Sequence, residues 1–421
     1  MARRVIVAAA IDLLAGCSAQ PTPAQGTTEF VDLTGSSELS SAVVNLGDPL
    51  PGLGAHELEL FQEGKSAFME EEGVADGLGP VFNEASCVAC HLTRGSAVGG
   101  TNGRLETRFG RVGATGKFDA LAGNGGSLLQ DHGIGRQTSR VPADLNSFFD
   151  FAAEAIPAKA NVVARRRTTP LFGLGLVDAV PDDEIRDIAA RQRFFAPHLA
   201  GTVAMVTDLT TGKLAVGKFG WKNGNPTLFQ FSADAYLNEM GITSPLFPNE
   251  NCPQGDCSMM TQYNPRPDLN DADGADVLAF ANFMTFLAPP PRGRQTFTTA
   301  RGESVFAAIG CAVCHVATLV TGANAVPALH RKVFHPYSDF LLHDMGSLGD
   351  GIAQGAAGPR EMRTAPLWGL RANATLLHDG RATTAAEAIL AHDGQGRAAR
   401  NHFARLDRAD RAALLAFLDS L

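Results

Sequence analysis

The apolar residues of this chain recur at helical spacing in two segments that resemble each other. Residues 277–287 read Val-Leu-Ala-Phe-Ala-Asn-Phe-Met-Thr-Phe-Leu, and residues 412–421 read Ala-Ala-Leu-Leu-Ala-Phe-Leu-Asp-Ser-Leu. Spacings of three and four residues place the Leu and Phe side chains on one face of a helix. We therefore predict two buried helices, each of which closes one half of the chain.

Shorter motifs repeat in the same order. Gly64-Lys-Ser-Ala-Phe68 corresponds to Gly302-Glu-Ser-Val-Phe306, and Pro170-Leu-Phe-Gly-Leu174 corresponds to Pro366-Leu-Trp-Gly-Leu370. The Pro-rich residues 288–294 end the first closing helix, because proline cannot continue one. The pattern predicts a mainly α protein with an internal duplication, divided into residues 54–290 and 291–421.

The first half is longer than its counterpart, and two segments account for the excess. Residues 95–135 are rich in glycine, which predicts a long irregular stretch. Residues 202–220 alternate apolar and polar residues around Thr211-Gly212, which predicts a short β-hairpin.

The N-terminus has the pattern of an export signal. Arg3 and Arg4 precede a mostly apolar run at residues 5–14 that is too short to span a membrane, and Asp12 interrupts this run. The run ends in Leu14-Ala15-Gly16-Cys17, which resembles a bacterial lipoprotein signal. We expect residues 1–16 to be a signal peptide, Cys17 to carry lipid, and residues 17–53 to be a flexible tether; the alternative is a secretory signal cleaved near Ala24.

Composition narrows the functional classes. The 421-residue chain has 45% hydrophobic residues and a formal net charge of -9. With no basic block beyond the extreme N-terminus, the chain is unsuited to nucleic acid. An acidic surface instead favours a basic protein partner through electrostatic steering. The signal predicts that the protein lies on the periplasmic side of a bacterial membrane, at the outer membrane. Only the lipid would hold it there.

Six cysteines remain after Cys17. Cys252 and Cys257 bracket Pro-Gln-Gly-Asp, and in an exported chain this spacing favours a disulfide-closed loop. Two free thiols or half of a metal site are the alternatives. The other four cysteines belong to two complete Cys-x-x-Cys-His motifs.

These motifs are Cys87-Val-Ala-Cys90-His91 and Cys311-Ala-Val-Cys314-His315. Two cysteines three residues apart on a helical turn face one side and can add to the two vinyl groups of one haem, and the adjacent histidine then ligates its iron. A zinc site would require more Cys or His nearby, and a thioredoxin-like pair would require a βαβ context. The sequence predicts two covalently bound haem c groups.

The sixth iron ligand decides whether a haem only transfers electrons or also binds a small molecule. For the second haem the downstream candidates are His343, Met345, His378, His392 and His402. Leu377-His-Asp-Gly-Arg381, followed by a helical stretch that reaches His392, resembles the bacterial di-haem cytochrome c peroxidases. That resemblance implies that His392, fourteen residues after His378, is the distal ligand; a surface histidine is the alternative for His392. Met345, thirty residues after His315 and inside a glycine-containing turn, is the weaker competing candidate.

A further resemblance covers most of the mature chain. Residues 165–176 (Arg-Arg-Arg-Thr-Thr-Pro-Leu-Phe-Gly-Leu-Gly-Leu), 218–222 (Lys-Phe-Gly-Trp-Lys), 239–243 (Glu-Met-Gly-Ile-Thr) and 338–346 (Ser-Asp-Phe-Leu-Leu-His-Asp-Met-Gly) are similar to the di-haem oxidoreductase family. Its members are described as peroxidases or thiol oxidoreductases. In each half an opening helix, a haem motif, loops and a closing helix follow one another in the order of a small cytochrome c domain. This order predicts two cytochrome c-like helical domains, with the N-terminal one enlarged by Gly-rich loops and the hairpin.

The first haem is harder to assign. His132, Met240 and an open site are the three alternatives for its distal side. Peroxide cleavage also needs an acid–base group, for which Glu106 and Asp119 are the candidates; each is otherwise a solvated loop charge. Trp221 and Trp368 would assist electron transfer if they lay between the haems, and would otherwise be core residues.

The resulting hypothesis is a periplasmic di-haem oxidoreductase. The first haem would reduce peroxide or a similar small oxidant, with electrons that pass from a donor cytochrome or another periplasmic redox protein through the second haem. A pure electron-transfer protein, or an enzyme acting on thiols or sulfur compounds, are the rival interpretations.

Overall fold

The computed structural model describes residues 36–39, 44–135, 151–258, 260 and 271–421. The expected signal peptide, Cys17 and most of the expected tether lie outside these residues. Helical residues outnumber strand residues in the described part of the chain, as the sequence predicts. None of these helices combines the length and the apolar character that crossing a bilayer requires.

The helices begin where polar side chains can cap them. Thr384 accepts a hydrogen bond from the Glu387 backbone N–H, and Thr296 accepts one from the Thr299 N–H, so that two helices start at defined residues. The α-helices are α1 (Ala55–Met69), α2 (Leu174–Asp178), α3 (Asp182–Phe195), α4 (Leu228–Met240), α5 (Ala275–Phe286), α6 (Phe297–Ala308), α7 (Ala385–Ala391), α8 (Arg397–Arg405) and α9 (Arg408–Asp419).

The strands are short and form small separate sheets. They are β1 (Ser37–Glu38), β2 (Val81–Phe82), β3 (Leu105–Val112), β4 (Phe118–Asp119), β5 (His132–Gly133), β6 (Val162–Arg167), β7 (Met205–Asp208), β8 (Lys213–Val216), β9 (Leu319–Val320), β10 (Lys332–Phe334), β11 (Leu342–Asp344) and β12 (Glu361–Arg363). The described strands pair in the orders β1-β10-β9, β11-β12, β2-β5, β4-β3-β6 and β7-β8.

The glycine-rich stretch is more regular than the sequence predicts. Strands β3, β4 and β5 lie within residues 95–135, and β3 pairs antiparallel with β6 from Leu105↔Arg167 to Gly110↔Val162. Glycine is favoured at Gly110, because a Cβ at this position would lie 2.3 Å from the Phe118 ring and 3.0 Å from the Asp119 carbonyl oxygen. The expectation of an irregular stretch was therefore wrong for this part, because a partner strand far along the chain supplies the hydrogen bonds.

The predicted hairpin is confirmed. Strands β7 and β8 pair antiparallel from Met205↔Val216 to Asp208↔Lys213. The turn places Gly212 at a φ of +69°, a left-handed conformation that favours glycine.

The internal duplication is a property of the structure as well as of the sequence. In each half the opening helix packs directly against the closing helix, α1 against α5 and α6 against α9. A Cβ on Gly64 would lie 2.2 Å from the Ala279 carbonyl oxygen, and one on Gly302 would lie 2.0 Å from that of Ala413. The repeated glycine is thus the position at which each helix pair makes its closest approach.

The second repeated motif, residues 170–174 and 366–370, makes the same backbone contact in each half. The backbone N–H of Gly173 donates to the Leu287 carbonyl at 3.2 Å, and that of Gly369 donates to the Leu421 carbonyl at 2.7 Å. Both glycines adopt a left-handed φ, +72° and +69°. Each Pro-Leu-aromatic-Gly-Leu loop is therefore fastened to the end of its own closing helix.

The two halves share part of one hydrophobic core. Leu319, Phe334, Phe340 and Trp368 from the second half pack into the large buried cluster that is otherwise built from the first. A smaller cluster around Phe417 joins the opening and closing helices of the second half. The division at residues 290 and 291 remains a prediction.

Candidate haem sites

Each Cys-x-x-Cys-His motif forms one tight turn followed by its histidine. The turns are Cys87–Ala89 and Cys311–Val313. The backbone N–H of His91 donates to the Cys87 carbonyl at 2.9 Å, and that of His315 donates to the Cys311 carbonyl at 3.0 Å. This turn places both cysteines and the histidine against a common space.

That space is a cavity in each half. Cys87, Cys90 and His91 line a first cavity of about 180 Å³. Cys311, Cys314 and His315 line a second cavity of about 600 Å³. The volume of the second cavity lies within the range of roughly 300–1,000 Å³ that is typical of cofactor-sized pockets. The volume of the first cavity is below this range, so the fit to a haem there depends on the Cys-x-x-Cys-His residues that line it.

The repeated phenylalanines position the two histidines in the same way. The Phe68 ring lies 5.9 Å from the His91 ring, and the Phe306 ring lies 6.1 Å from the His315 ring, centroid to centroid. Each phenylalanine is backed by one from the closing helix, Phe283 at 4.9 Å and Phe417 at 5.4 Å. The duplication therefore includes the packing that supports each motif histidine.

The protonation states suit iron ligation. Burial lowers the pKa of His91 and of His315 to about 4, so both imidazoles are neutral at pH 7, as metal binding requires. The His315 Nδ1 lies 2.9 Å from the Tyr337 carbonyl oxygen, which fixes the tautomer that leaves Nε2 free for a metal.

The cysteines are poor candidates for a reactive thiol pair. Burial raises the pKa of Cys87, Cys90 and Cys311 to about 12. A redox-active Cys-x-x-Cys pair has a lowered thiol pKa. Neither pair is a disulfide in the structure, so all four sulfur atoms can form thioethers.

The second cavity also contains His392. Its Nδ1 lies 2.8 Å from the Ala388 carbonyl oxygen, one turn back in α7, and burial lowers its pKa. His392 lies close enough to affect the pKa of His315 electrostatically. The two histidines thus face the same cavity, with Nε2 of His392 available as an iron ligand.

Met345 is a close neighbour of His392 and lines the same cavity. A Cβ on Gly396 would lie 3.0 Å from the His392 ring and 3.3 Å from the Met345 methyl group. His378 and His402 also border this cavity, and the His402 Nδ1 lies 3.2 Å from the Ile309 carbonyl oxygen.

His343 is occupied by other partners. Its Nε2 lies 2.9 Å from Asp339, and its Nδ1 lies 3.2 Å from the Gln395 side-chain oxygen and 3.6 Å from the Cys314 sulfur. Cys314, Asp339 and His343 could together hold a metal ion if the thiol were free. A thioether at Cys314 would remove that ligand, so His343 fits a hydrogen-bonding role better than ligation.

Met240 and His132, the two candidates for the distal ligand of the first haem, lie in different places. Met240 is buried and lines the first cavity. His132 lies in β5, with its ring tilted against the Phe82 ring at 5.5 Å between centroids, and is not among the described residues that line this cavity. The position of Met240 therefore suits the ligand role better than that of His132.

Of the two acid–base candidates, Glu106 and Asp119, one lines the first cavity and the other does not. Glu106 lines the first cavity, where its carboxylate forms a two-pronged ion pair with Arg108 at 2.7 and 3.2 Å. Asp119 lies at the exposed end of β4 and accepts a hydrogen bond from the Leu121 N–H, apart from the described cavity lining.

Glu239 is a site residue that the sequence reasoning missed. It lines the first cavity and hydrogen-bonds to Glu106 and Asn83, the latter at 2.9 Å. Burial, and then the charge of Glu106, raise the pKa of Glu239 to about 8. Burial would also raise the pKa of Glu106, but the Arg108 ion pair, the charge of Arg166 and the hydrogen bond with Glu239 together lower that pKa. The two shifts have opposite directions, so Glu239 favours the protonated form and Glu106 favours the ionised form.

One wall separates the two cavities. Trp221 and Arg167 line both of them. The Trp221 indole N–H donates to the Arg167 carbonyl at 2.7 Å, and its ring lies 6.2 Å from the ring of His378, which borders the second cavity. Trp368 lines only the second cavity in the described part of the chain. Of the two tryptophans, Trp221 has the position of a bridge.

The remaining cysteine pair has a structural role. Cys252 and Cys257 form a disulfide with an S–S distance of 1.99 Å. It closes the loop that carries Gln254, whose backbone N–H donates to Glu154 at 2.7 Å. The disulfide thus closes a structural loop.

Comparison with known proteins adds the family. The family model described as "Di-haem oxidoreductase, putative peroxidase" matches residues 155–421, which include the second motif but not the first. No curated protein sequence matches the chain.

Several solved structures are similar at low identity. Hydrazine synthase of Kuenenia stuttgartiensis is 13% identical, with 98% of this chain and 99% of that chain covered and a TM-score of 0.37. A MauG-like protein associated with microbial copper homeostasis is 14% identical (91% and 94% covered, TM-score 0.39). The diheme peroxidase BthA of Burkholderia thailandensis is 15% identical (95% and 92%, TM-score 0.37).

Proposed function

The chain belongs to the di-haem oxidoreductase family, and from this premise we propose that it is a c-type enzyme that reduces peroxide or a similar small oxidant. The reaction would occur in the first cavity, with electrons supplied through the second. The observation that carries the proposal is the half-buried pair of Glu106 and Glu239 in the cavity of His91, with Glu106 ion-paired to Arg108 and Glu239 hydrogen-bonded to Asn83.

Reduction of hydrogen peroxide to two water molecules breaks the O–O bond and consumes two electrons and two protons. A haem held by Cys87, Cys90 and His91 would supply the redox chemistry when bound. Proton transfer falls to the protein. The Glu106 carboxylate would accept the proton of the oxygen that binds, and Glu239 would give its proton to the oxygen that leaves.

Arg108 supports this division of roles. Its ion pair keeps Glu106 ionised and fixes the direction of the carboxylate. Asn83 donates to Glu239 at 2.9 Å and orients the second carboxyl group. Both are therefore positioning residues for the acid–base pair.

The second cavity would hold the electron-transfer haem. His315 and His392 are its ligands in this proposal, and two imidazole ligands would make it an electron-transfer centre. Trp221 and Arg167 belong to the common wall, where electrons would cross between the cavities. We propose a periplasmic location with a lipid anchor at Cys17 on the basis of the signal alone.

A pure electron-transfer protein is the second candidate, because buried Met240 lines the first cavity and could ligate the iron there. Cyanide distinguishes the two functions when it is added to the ferric holoprotein. The proposal predicts that one haem per chain binds cyanide, and that peroxide reoxidises the dithionite-reduced protein in a stopped-flow experiment. Two low-spin haems that are inert to both reagents would refute the peroxidase function.

A further inference from the structure

Helix α3 ends in two exposed aromatic residues. Phe194 is 80% exposed and Phe195 is 54% exposed, and their rings contact each other edge to face at 4.8 Å. Two large apolar rings side by side in water are unusual for a surface without a partner. Aromatic side chains of this kind are enriched at the centres of protein interfaces.

This pair lies at the edge of the second cavity. Phe195 lines the cavity, and so does Arg400 of α8. The two segments are tied together, because the Gln395 side-chain amide donates to the carbonyls of His198 at 3.3 Å and Ala200 at 3.1 Å. The end of α3 and the start of α8 thus form one continuous rim around the space proposed for the second haem.

The rim is basic, although the chain as a whole is acidic. Helix α8 reads Arg-Ala-Ala-Arg-Asn-His-Phe-Ala-Arg and contains no acidic residue. Asp393 pairs with both Arg397 (2.7 Å) and Arg400 (3.6 Å), so one carboxylate serves two cations. Arg193 and Arg405 form no ion pair with any described residue.

We propose that this rim, consisting of Phe194, Phe195, Arg397 and Arg400, docks a one-electron carrier protein whose own surface is acidic around its redox centre. The proposal rests on the assignment of an electron-transfer haem to the second cavity. The phenylalanines would form the apolar centre of the contact, and the arginines would steer the carrier. Transient redox complexes bury little area, so a patch of this size suffices.

The local charge reverses the expectation drawn from the whole chain. A net charge of -9 suggests a basic partner. Coulomb interactions between exposed charges are screened beyond about 10 Å at moderate salt, so the charges at the rim outweigh distant ones in the encounter. The partner is therefore predicted to complement the rim rather than the average surface.

The test uses two reduced probe proteins of opposite charge, a small acidic blue-copper protein and a small basic c-type cytochrome. The measured quantity is the second-order rate constant for reduction of the second haem in the holoprotein by stopped flow. We expect the acidic probe to react faster, with a rate that falls as salt increases. R397E/R400E should slow it about tenfold or more and accelerate the basic probe, and F194A should slow both.

Helix α6 offers matched controls. Phe297 is fully exposed and Arg301 is exposed in an ion pair with Asp410, so F297A and R301E change the same residue types away from the rim. Both should leave the rates unchanged, and reduction by dithionite should be equal in the wild type, F194A, F297A and R301E. A faster basic probe with wild type, or rim variants that react like the controls, would overturn the proposal. Peroxide is absent from this measurement, so its failure is distinct from failure of the peroxidase function.

Discussion

Replacement of Glu239 by glutamine tests the acid–base pair most sharply. The substitution keeps the size of the side chain and an N–H group that can donate to Glu106, but it removes the proton that Glu239 holds at neutral pH. Since the pKa of Glu239 is raised from 4.5 to about 8, its carboxyl group is mostly protonated at pH 7. Glutamine does not ionise, so the rate of the variant shows what this proton contributes to the reaction with peroxide.

The sign of the pH dependence follows from that shift. The wild-type rate of peroxide reaction should be full at neutral pH and fall as pH rises through about 8, where Glu239 loses its proton. General acid–base catalysis contributes roughly 10²–10⁴-fold, which corresponds to about 3–5 kcal/mol of barrier. E239Q should therefore be slower by this factor at pH 7 and show no step near pH 8.

The assay is stopped-flow oxidation of the reduced holoprotein by hydrogen peroxide from pH 6 to about pH 9. D119N is the control, because Asp119 is exposed and lies outside the described cavity lining; it should match the wild type throughout. If E239Q retained the wild-type rate at pH 7, or retained the decline near pH 8, the assignment of the proton to Glu239 would be refuted.

Three further predictions concern the second haem, the fold and the anchor. H392A should remove the bis-histidine spectrum of one ferric haem. The variant should then show either a high-spin signal or, if the neighbouring Met345 replaces the ligand, a weak band at ~695 nm. M345A should leave both haems unchanged, and a wild-type spectrum of H392A would exclude His392 as the ligand. G302A should lower the free energy of unfolding by about 1–3 kcal/mol in urea, since a Cβ would lie 2.0 Å from a carbonyl oxygen of α9, whereas G123A, with open space around it, should have little effect; equal stabilities would contradict the close helix contact. C17S should abolish lipidation and release the protein into the soluble periplasmic fraction, and a wild-type protein already soluble with a later N-terminus would count against the anchor.

The parts of the fold that the sequence predicts are those encoded locally. The closing helices, the hairpin around Gly212 and the repeated motifs depend on periodicity and turn residues within one short segment. The structure adds why the repeats exist: Gly64 and Gly302 allow close helix packing, and Phe68 and Phe306 support the motif histidines.

The parts that the sequence does not predict depend on contacts between distant segments. Strand β3 needs β6 as its partner, and no local pattern in the glycine-rich stretch indicates that pairing. Glu106 and Glu239 come together only because β3 and α4 border the same cavity. Glu239 had a signal, since it directly precedes the ligand candidate Met240, but a carboxyl pair is visible only in three dimensions.

The central claim is that two haems are attached covalently, one at each motif. The most direct measurement is the intact mass of the purified mature protein, together with that of the variant in which Cys87 and Cys90 are both replaced by alanine. The account predicts an excess over the polypeptide of two haems for the wild type and of one haem for the variant. A wild-type mass equal to the polypeptide alone, or haem that is lost on acid–acetone extraction, would contradict it.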